Sequence, residues 1–143
     1  MAARSDLTTS AGPHFERNTR QRRAICSAFE ASTRPLAIGE LVEAVSRNGA
    51  ALSLTTAYRT IRALLDEGWL AEVTVPGTGS FYELAGKDHH HHFSCLKCRS
   101  VYELAGCESP RVALPRGFRA LSHETTVFGV CARCAGASNA RSA

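Results

Sequence analysis

Hydrophobic residues recur at helical spacing in three successive segments of the first half of the chain. The first segment predicts a helix from about Thr19 to Ser32, ending there because Pro35 disfavours helical geometry in the residue before it. The second predicts a helix over 38–48 and the third a helix over 55–67, each followed by a glycine that suits a helix end. Three short helices in a row are therefore expected.

The pattern changes from helical to extended after the third helix. Residues 69–75 and 80–84 are short β-rich segments joined by Pro-Gly-Thr-Gly, which is typical of a hairpin turn. Three helices and a hairpin predict a winged helix-turn-helix domain over 14–84, whose third helix would enter a DNA major groove. The outer face of that helix and a basic run in the first helix supply the candidate DNA contacts Arg17, Arg20, Arg22, Thr55, Thr56, Tyr58, Arg59 and Arg62. A solvated helix start would also explain the basic run.

A second, smaller α/β domain is expected over 89–134, after a hinge at 85–88. Its predicted elements are a strand over 89–94, a tight turn over 95–98, a strand over 100–104 and a long extended segment over 118–130. Residues 1–13 and 135–143 are polar and small, and are expected to form a loose arm and tail. The sequence as a whole predicts an α+β protein.

Composition and charge narrow the class of protein. The 143 residues are 44% hydrophobic, which is ordinary for a globular protein, and the net charge of +4 is too small to indicate nucleic acid by itself. No window approaches the roughly 18 consecutive apolar residues of a membrane span, and the start lacks a signal-peptide pattern. We therefore expect a cytoplasmic protein without membrane contact. Its six cysteines are then expected to be metal ligands, reactive thiols or buried small hydrophobic residues and not disulfides.

Four of the cysteines form two matched Cys-x-x-Cys pairs, Cys95 with Cys98 and Cys131 with Cys134. Each two-residue spacer lets a tight turn direct two thiolates at one ion, and the two turns complete the tetrahedral set that Zn²⁺ prefers. Because all four positions are protein thiolates, this Zn²⁺ is predicted to be structural and not catalytic. A redox dithiol would need only one pair.

Four consecutive histidines, His89 to His92, precede the first cysteine pair. Side chains alternate along a strand, so His89 and His91 would face one side and His90 and His92 the other, supplying two metal sites. The alternative is a solvated polar strand. An ion held by His90, His92 and Glu83 would join the two halves of the chain and fix their relative angle. The remaining candidate ligands in the sequence are Glu103, Cys107, Glu108 and His123.

The segments SLTTAYRTIRALLDEGWL, FYEL, HHHHFSCLKC and CARC together resemble the ferric uptake regulator (Fur) superfamily over about residues 17–135. The resemblance implies a dimeric, metal-dependent repressor of double-stranded operator DNA with a C-terminal dimerisation domain. It implies that Tyr58 and Arg59 lie at DNA-contacting positions of the recognition helix, and Arg17 and Arg22 near backbone- or minor-groove-contacting positions. It also implies two regulatory sites, an interdomain sensor site of Glu83, His90 and His92 and a second site of His89, His91 and His123.

Departures from the family pattern refine this interpretation. Arg34 stands, with the proline after it, where many members carry a sensor-site histidine, so we expect Glu103 to complete the sensor site. Cys107 falls near the place of a glutamate that commonly joins the second site, with Glu108 as the alternative ligand. A thiolate among imidazoles favours Zn²⁺ over Fe²⁺ or Mn²⁺, so the zinc uptake regulators of the family fit best. Arg99 replaces the glycine that usually follows the first cysteine pair.

The leading hypothesis is a zinc-responsive repressor of metal uptake genes, a homodimer that binds a palindromic operator, carries structural and regulatory Zn²⁺ and has no small-molecule substrate. An iron-responsive regulator using Fe²⁺ or Mn²⁺ is the alternative within the same class. A zinc hydrolase using His89, His91 and His123 with Glu108 as base is a distant alternative, because it leaves the DNA-binding half unexplained. A purely structural zinc adaptor would hold no exchangeable metal.

Overall fold

The computed structural model describes the backbone of residues 13–107 and 112–139, and the side chains of 19–107 and 112–136. Three helices and a hairpin are followed by a three-stranded sheet and a closing helix. In chain order the elements are α1 (Pro13–Ala31), α2 (Ile38–Arg47), α3 (Leu54–Asp66), β1 (Leu70–Val75), β2 (Gly79–Leu84), β3 (His91–Cys95), β4 (Val101–Leu104), β5 (Thr126–Gly129) and α4 (Ala132–Asn139). The predicted α+β class is confirmed.

The first three helices pack around one apolar core because each carries a hydrophobic stripe on one side. Five large side chains of this core are at most 2% exposed: Ile25, Phe29, Leu41, Ile61 and Leu64. Burying a side chain of this kind contributes about 1.5–3 kcal/mol. This core therefore holds α3 in place and leaves the opposite face of the helix in solvent.

The hairpin of β1 and β2 forms the wing, the two strands pairing antiparallel along their full length. Its turn contains Gly77 at a φ of 74°, a left-handed conformation that favours glycine. The wing is tied to the helices by a bridge in which the Leu36 N–H donates to the Tyr82 carbonyl at 2.9 Å. This register places Glu83 near the end of β2, where it is only 6% exposed.

The second sheet has the strand order β4-β3-β5, with β3 antiparallel to β4 and parallel to β5. Because β3 is hydrogen-bonded on both sides, the alternation of its side chains is fixed. A tight turn leads from β3 to β4, closed by the Cys95 N–H donating to the Ser100 carbonyl at 3.0 Å. β5 lies at the edge of the sheet and exposes Val127 and Phe128.

The two halves of the chain meet in a small apolar cluster beside the wing. Val75, Phe81 and Val101 are each at most 3% exposed there. Nearby, the guanidinium of Arg34 lies 5.7 Å from the ring centroid of Tyr102, an arrangement that attracts the cation to the ring face. Along the described ranges, no helix is long and apolar enough to cross a membrane.

Element boundaries differ most from the predictions at α1, before β5 and at α4, and β3 begins at His91 where a strand from 89 was predicted. α1 begins at Pro13, earlier than expected, since proline is well tolerated in the first turn of a helix. The predicted extended segment over 118–130 is a strand only over Thr126–Gly129, where β3 offers a partner. Residues 135–139, predicted as part of a loose tail, continue α4, whose alanines favour helix. Residues 1–12, predicted as an arm, lie outside the described residues.

Candidate metal centres and nucleic-acid surface

The cysteine cluster consists of Cys95, Cys98, Cys131 and Cys134. The first pair lies in the β3–β4 turn and the second at the start of α4. The four Sγ atoms all lie within 4.8 Å of one another. The Sγ atoms of Cys98 and Cys131 are 3.8 Å apart. A tetrahedral Zn²⁺ with Zn–S bonds of about 2.3 Å requires sulfur separations of about 3.8 Å. The spacing of the pocket thus fits a four-thiolate zinc ion.

The electrostatics of the cysteine cluster also favour a cation. A hydrogen bond with Ser100, supported by other donors, lowers the pKa of the Cys98 thiol to about 5. Its neighbour Cys131, followed by burial, raises the pKa of the Cys134 thiol to about 12. Four thiolates in one half-buried pocket repel one another, and a divalent cation removes that repulsion. Hydrogen bonding to Cys98 raises the pKa of Arg133, which offsets part of the remaining negative charge.

Arg99 follows the first cysteine pair in a backbone conformation that favours glycine. Its φ is 61°, and it is the one non-glycine residue with positive φ along 13–107 and 112–139. The Arg99 N–H donates to the Cys95 carbonyl at 2.9 Å and closes the turn. Arg99 therefore closes the turn with some backbone strain.

The thiol–imidazole cluster brings together His89, His91, Cys107 and His123. The Sγ of Cys107 lies 3.1 Å from His91 Nε2 and 3.0 Å from His123 Nε2, and the two Nε2 atoms of His89 and His123 are 3.2 Å apart. Burial, followed by the neighbouring imidazoles, lowers the pKa of His91 and favours its neutral, metal-binding form. Three imidazole nitrogens and one thiol fit a tetrahedral ion of the zinc type.

The bridging cluster consists of Glu83 from the wing, His92 from β3 and His90, which directly precedes β3. Glu83 Oε1 lies 3.0 Å from His90 Nε2 and 3.4 Å from His92 Nε2. The Nδ1 of His90 donates to the Asp88 carbonyl at 2.7 Å, which leaves its Nε2 to face Glu83. Burial lowers the pKa of His90, but the Asp88 carbonyl and Glu83 outweigh it and raise that pKa overall. Two imidazoles and a carboxylate fit a divalent cation, with room for further ligands.

Glu103, the predicted fourth ligand, points its carboxylate at another partner. It lies opposite His92 in the β3–β4 register but hydrogen-bonds to the Nζ of Lys87, and this bond lowers the pKa of Glu103. Lys87 Nζ is also 3.7 Å from Glu83 Oε2. The role of Glu103 as a metal ligand stays a prediction, as do the roles of the other candidate ligands. Glu108 lies outside the described residues.

The outer face of α3 is a polar and aromatic surface. Ser53 caps the helix by accepting the Thr56 N–H at 3.2 Å, which fixes its first turn. Tyr58 is 54% exposed, and Thr55, Arg59 and Arg62 are also exposed. The side chains predicted to meet DNA therefore lie on one solvent-facing surface, whereas Thr56 is half-buried.

The predicted basic contacts of α1 divide into different environments. Arg20 is exposed to solvent. Arg22 forms an ion pair with Glu67 at the end of α3, which raises the pKa of Arg22 and links the two helices. The side chain of Arg17 lies outside the described residues.

Sequence reasoning missed the placement of two charged residues. Nothing in the periodicity indicated that Lys87 would reach two carboxylates. In the sequence Arg34 stands out only as a replacement for a histidine, yet it contacts Glu40 at 2.7 Å and the ring of Tyr102. Its place before a proline, in the loop between α1 and α2, is the signal available in the sequence.

Comparisons with known proteins show the family to which this chain belongs. The model of the ferric uptake regulator family matches residues 16–128. The chain belongs to the ferric uptake regulator family, whose members are transcriptional regulators and not enzymes. The resemblance seen in the sequence is confirmed, and the hydrolase alternative is set aside.

Three relatives are informative. The zinc uptake regulation protein of Mycobacterium tuberculosis (strain ATCC 25618 / H37Rv) is 33% identical over 122 residues, which cover 82% of this chain and 94% of that protein. The ferric uptake regulation protein of Rhizobium leguminosarum bv. viciae is 32% identical over 118 residues, or 80% of this chain and 83% of that protein. A solved zinc-bound manganese uptake regulator has a TM-score of 0.66 and 30% identity, covering 81% of this chain and 96% of that chain.

Proposed function

We propose that this protein is a zinc-responsive transcriptional repressor that binds palindromic operator DNA as a homodimer in the cytoplasm and silences genes for metal uptake. The observation that carries the proposal is the bridging cluster, in which Glu83 of the wing lies within 3.5 Å of His90 and His92, at the start of the second half of the chain. An ion bound there fixes the angle between a DNA-binding half, 14–84, and a dimerisation half, 89–134, across the hinge 85–88.

The donor sets support zinc as the regulatory metal. The thiol–imidazole cluster contains a sulfur ligand, Cys107, which favours Zn²⁺ over the harder Fe²⁺ and Mn²⁺. A zinc uptake regulation protein is among the relatives that align over most of their own length. In this proposal the cysteine cluster holds structural Zn²⁺, and the two other clusters hold exchangeable Zn²⁺.

The DNA contacts proposed for each half of the dimer come from α3 and α1. Tyr58 and Arg59 read the major groove, Thr55, Thr56 and Arg62 support them, and Arg17, Arg20 and Arg22 contact the backbone. Release of Arg22 from Glu67 would be needed for its contact. Two copies of α3 related by a two-fold axis then match a palindromic site.

The second sheet offers a surface for dimerisation. β5 is an edge strand, and Phe118 and Leu121 before it are 67% and 94% exposed. Val127, Phe128 and Val130 add further exposed apolar area. An apolar surface beside an unpaired strand edge suits a second copy of the chain. Phe128→Lys is expected to shift the protein to monomers in sedimentation velocity.

The test is DNA binding by fluorescence anisotropy, using a duplex selected from random sequence in the presence of Zn²⁺. Wild-type protein is expected to lose affinity when exchangeable metal is removed with a mild chelator, and to regain it with added Zn²⁺. Arg20→Ala, at a proposed backbone contact, is expected to weaken binding and to lower the slope of log K against log salt by about 0.9 per lost phosphate contact. Arg47→Ala, at the exposed end of α2, is the control. DNA binding that is unchanged by metal removal contradicts the proposal.

An iron-responsive regulator is the second candidate, because the bridging cluster contains only nitrogen and oxygen donors. Anaerobic activation of DNA binding by Fe²⁺, at concentrations where Zn²⁺ competes poorly, would favour it. In that case Cys107→Ser would have a mild effect on the metal response.

A further inference from the structure

Lys87 contacts two carboxylates, that of Glu83 in the bridging cluster and that of Glu103. Its ammonium hydrogen-bonds to Glu103 and is 3.7 Å from Glu83 Oε2. The same Glu83 carboxylate lies 3.0 Å from His90 Nε2. One buried carboxylate is therefore shared between an internal cation and the imidazoles that would hold a metal ion.

A metal ion and this ammonium group cannot both lie close to Glu83 without repulsion. The ammonium is already 3.7 Å from Glu83 Oε2, so an ion bound to this carboxylate would lie close to a second positive charge. The Glu83 side chain is only 7% exposed and that of Lys87 is 30% exposed, so water screens the two positive charges incompletely. Binding of a divalent cation must therefore displace Lys87 or work against it.

We propose that Lys87 is a built-in competitor of the regulatory metal ion, and that it sets the metal concentration at which the bridging cluster fills. While the bridging cluster is empty, the Lys87 ammonium neutralises Glu83 and Glu103. Metal binding displaces it and releases Glu103, which then becomes available as a further ligand. This inference rests on the proposed metal-sensing function of the bridging cluster.

The hinge provides a path for the displacement. Lys87 follows Gly86, which has a φ of 79°, and precedes Asp88, whose carbonyl holds the His90 ring. Gly86, Lys87, His90 and Glu103 line an open cavity of about 510 Å³, which gives the displaced side chain room to reach water. The Lys87 contacts are thus lost within the segment that joins the two halves of the chain, and this segment lies between the cluster residues Glu83 and His90.

The experiment measures Zn²⁺ affinity by chelator competition. His89→Ala and His123→Ala are introduced first, so that the bridging cluster is the exchangeable site left in the protein while the cysteine cluster keeps its zinc. In this background Lys87→Leu removes the charge and supplies no donor atom, whereas Lys87→Arg keeps the charge as a matched control. Lys87→Leu is expected to tighten Zn²⁺ binding by about tenfold, and Lys87→Arg to change it by less than about twofold.

A second readout separates competition from a structural role. The free energy of unfolding is measured by urea denaturation of protein that keeps its structural zinc but has an empty bridging cluster. It is expected to fall in Lys87→Leu because two ion-pair contacts are lost. Competition predicts that stability falls while Zn²⁺ affinity rises, whereas a purely structural role predicts that both fall. Glu103→Gln, added to Lys87→Leu, is expected to remove part of the gain in affinity.

The outcomes distinguish this inference from the proposed function. Zn²⁺ binding in the Lys87→Leu protein that is equal to or weaker than that of its parent overturns the competitor role and leaves the sensor site standing. Equal tightening by arginine and leucine also overturns it, since charge would not be the cause. If neither the parent nor the Lys87→Leu protein binds Zn²⁺ at the bridging cluster, both the inference and the proposed sensor site fail.

Discussion

The cysteine cluster takes its four sulfur atoms from two tight turns, whereas the bridging cluster takes three donors from two different halves of the chain. Cys95 and Cys131 are at most 8% exposed, and every corner of their pocket is a sulfur atom. Glu83 and the two histidines leave coordination positions open and share their carboxylate with Lys87. A closed site of short loops suits a permanent ion, and an open site between halves suits an exchangeable one.

The largest expected effect comes from removing a ligand of the cysteine cluster. Cys98→Ser is expected to remove the structural zinc and, with it, on the order of 10 kcal/mol of zinc-linked folding energy, so that the second sheet unfolds. Metal analysis and circular dichroism measure both losses. Cys26→Ser, in α1 and outside the metal clusters of the described residues, is the control and should keep its zinc. A folded Cys98→Ser protein without zinc would contradict the structural role.

Removing a ligand of the bridging cluster is expected to leave the fold intact and to remove the response of DNA binding to Zn²⁺. Glu83→Gln should weaken Zn²⁺ binding at the bridging cluster by about 100-fold or more and abolish zinc-dependent DNA binding, because the wing loses its only donor to that cluster within the described residues. Anisotropy with and without Zn²⁺ measures the change. Glu72→Gln, an exposed carboxylate on the partner strand of the wing, is the matched control. Equal behaviour of the two variants would argue against a site between the halves.

The thiol–imidazole cluster is intermediate, since its donors come from one half of the chain but include an exposed thiol. Cys107→Ser is expected to weaken Zn²⁺ binding there by about 10- to 100-fold without loss of the structural zinc. In Co²⁺-substituted protein, the sulfur-to-cobalt absorption of this cluster should disappear, while that of the cysteine cluster remains. An unchanged spectrum would show that Cys107 is not a ligand.

The smallest expected effect concerns the turn of the cysteine cluster. Arg99→Gly should raise the free energy of unfolding by about 1 kcal/mol, because glycine adopts a φ of 61° without strain. Gly106→Ala, at a φ of 79° with open space around it, should lower that free energy by a similar amount. Urea denaturation of zinc-loaded protein measures both. A stabilising Gly106→Ala would contradict this account of backbone strain.

The local sequence pattern was enough to predict much of the fold and part of the candidate sites. Helical spacing and a Gly-rich turn were enough to predict the winged helix, and the two Cys-x-x-Cys spacings were enough to predict the cysteine cluster. The two faces of the histidine strand followed from the alternation of side chains, even though regular pairing begins only at His91.

The remaining features depend on contacts between distant residues. The extension of α1 to Pro13 and of α4 to Asn139 has no strong periodic signal. The pairing of Lys87 with Glu103 depends on the path of the hinge and on the β3–β4 register. Long-range placement of a single charge has no signature in spacing or composition, so it emerges only from the structure.

The central claim is that the protein holds one class of zinc permanently and another reversibly. The most direct test is anomalous diffraction at the zinc edge from crystals of zinc-loaded protein, before and after dialysis against a mild chelator. The account predicts that dialysis leaves the zinc signal at the cysteine cluster and removes it from the bridging and thiol–imidazole clusters. Loss of zinc from all three clusters together, or retention in all three, would contradict it.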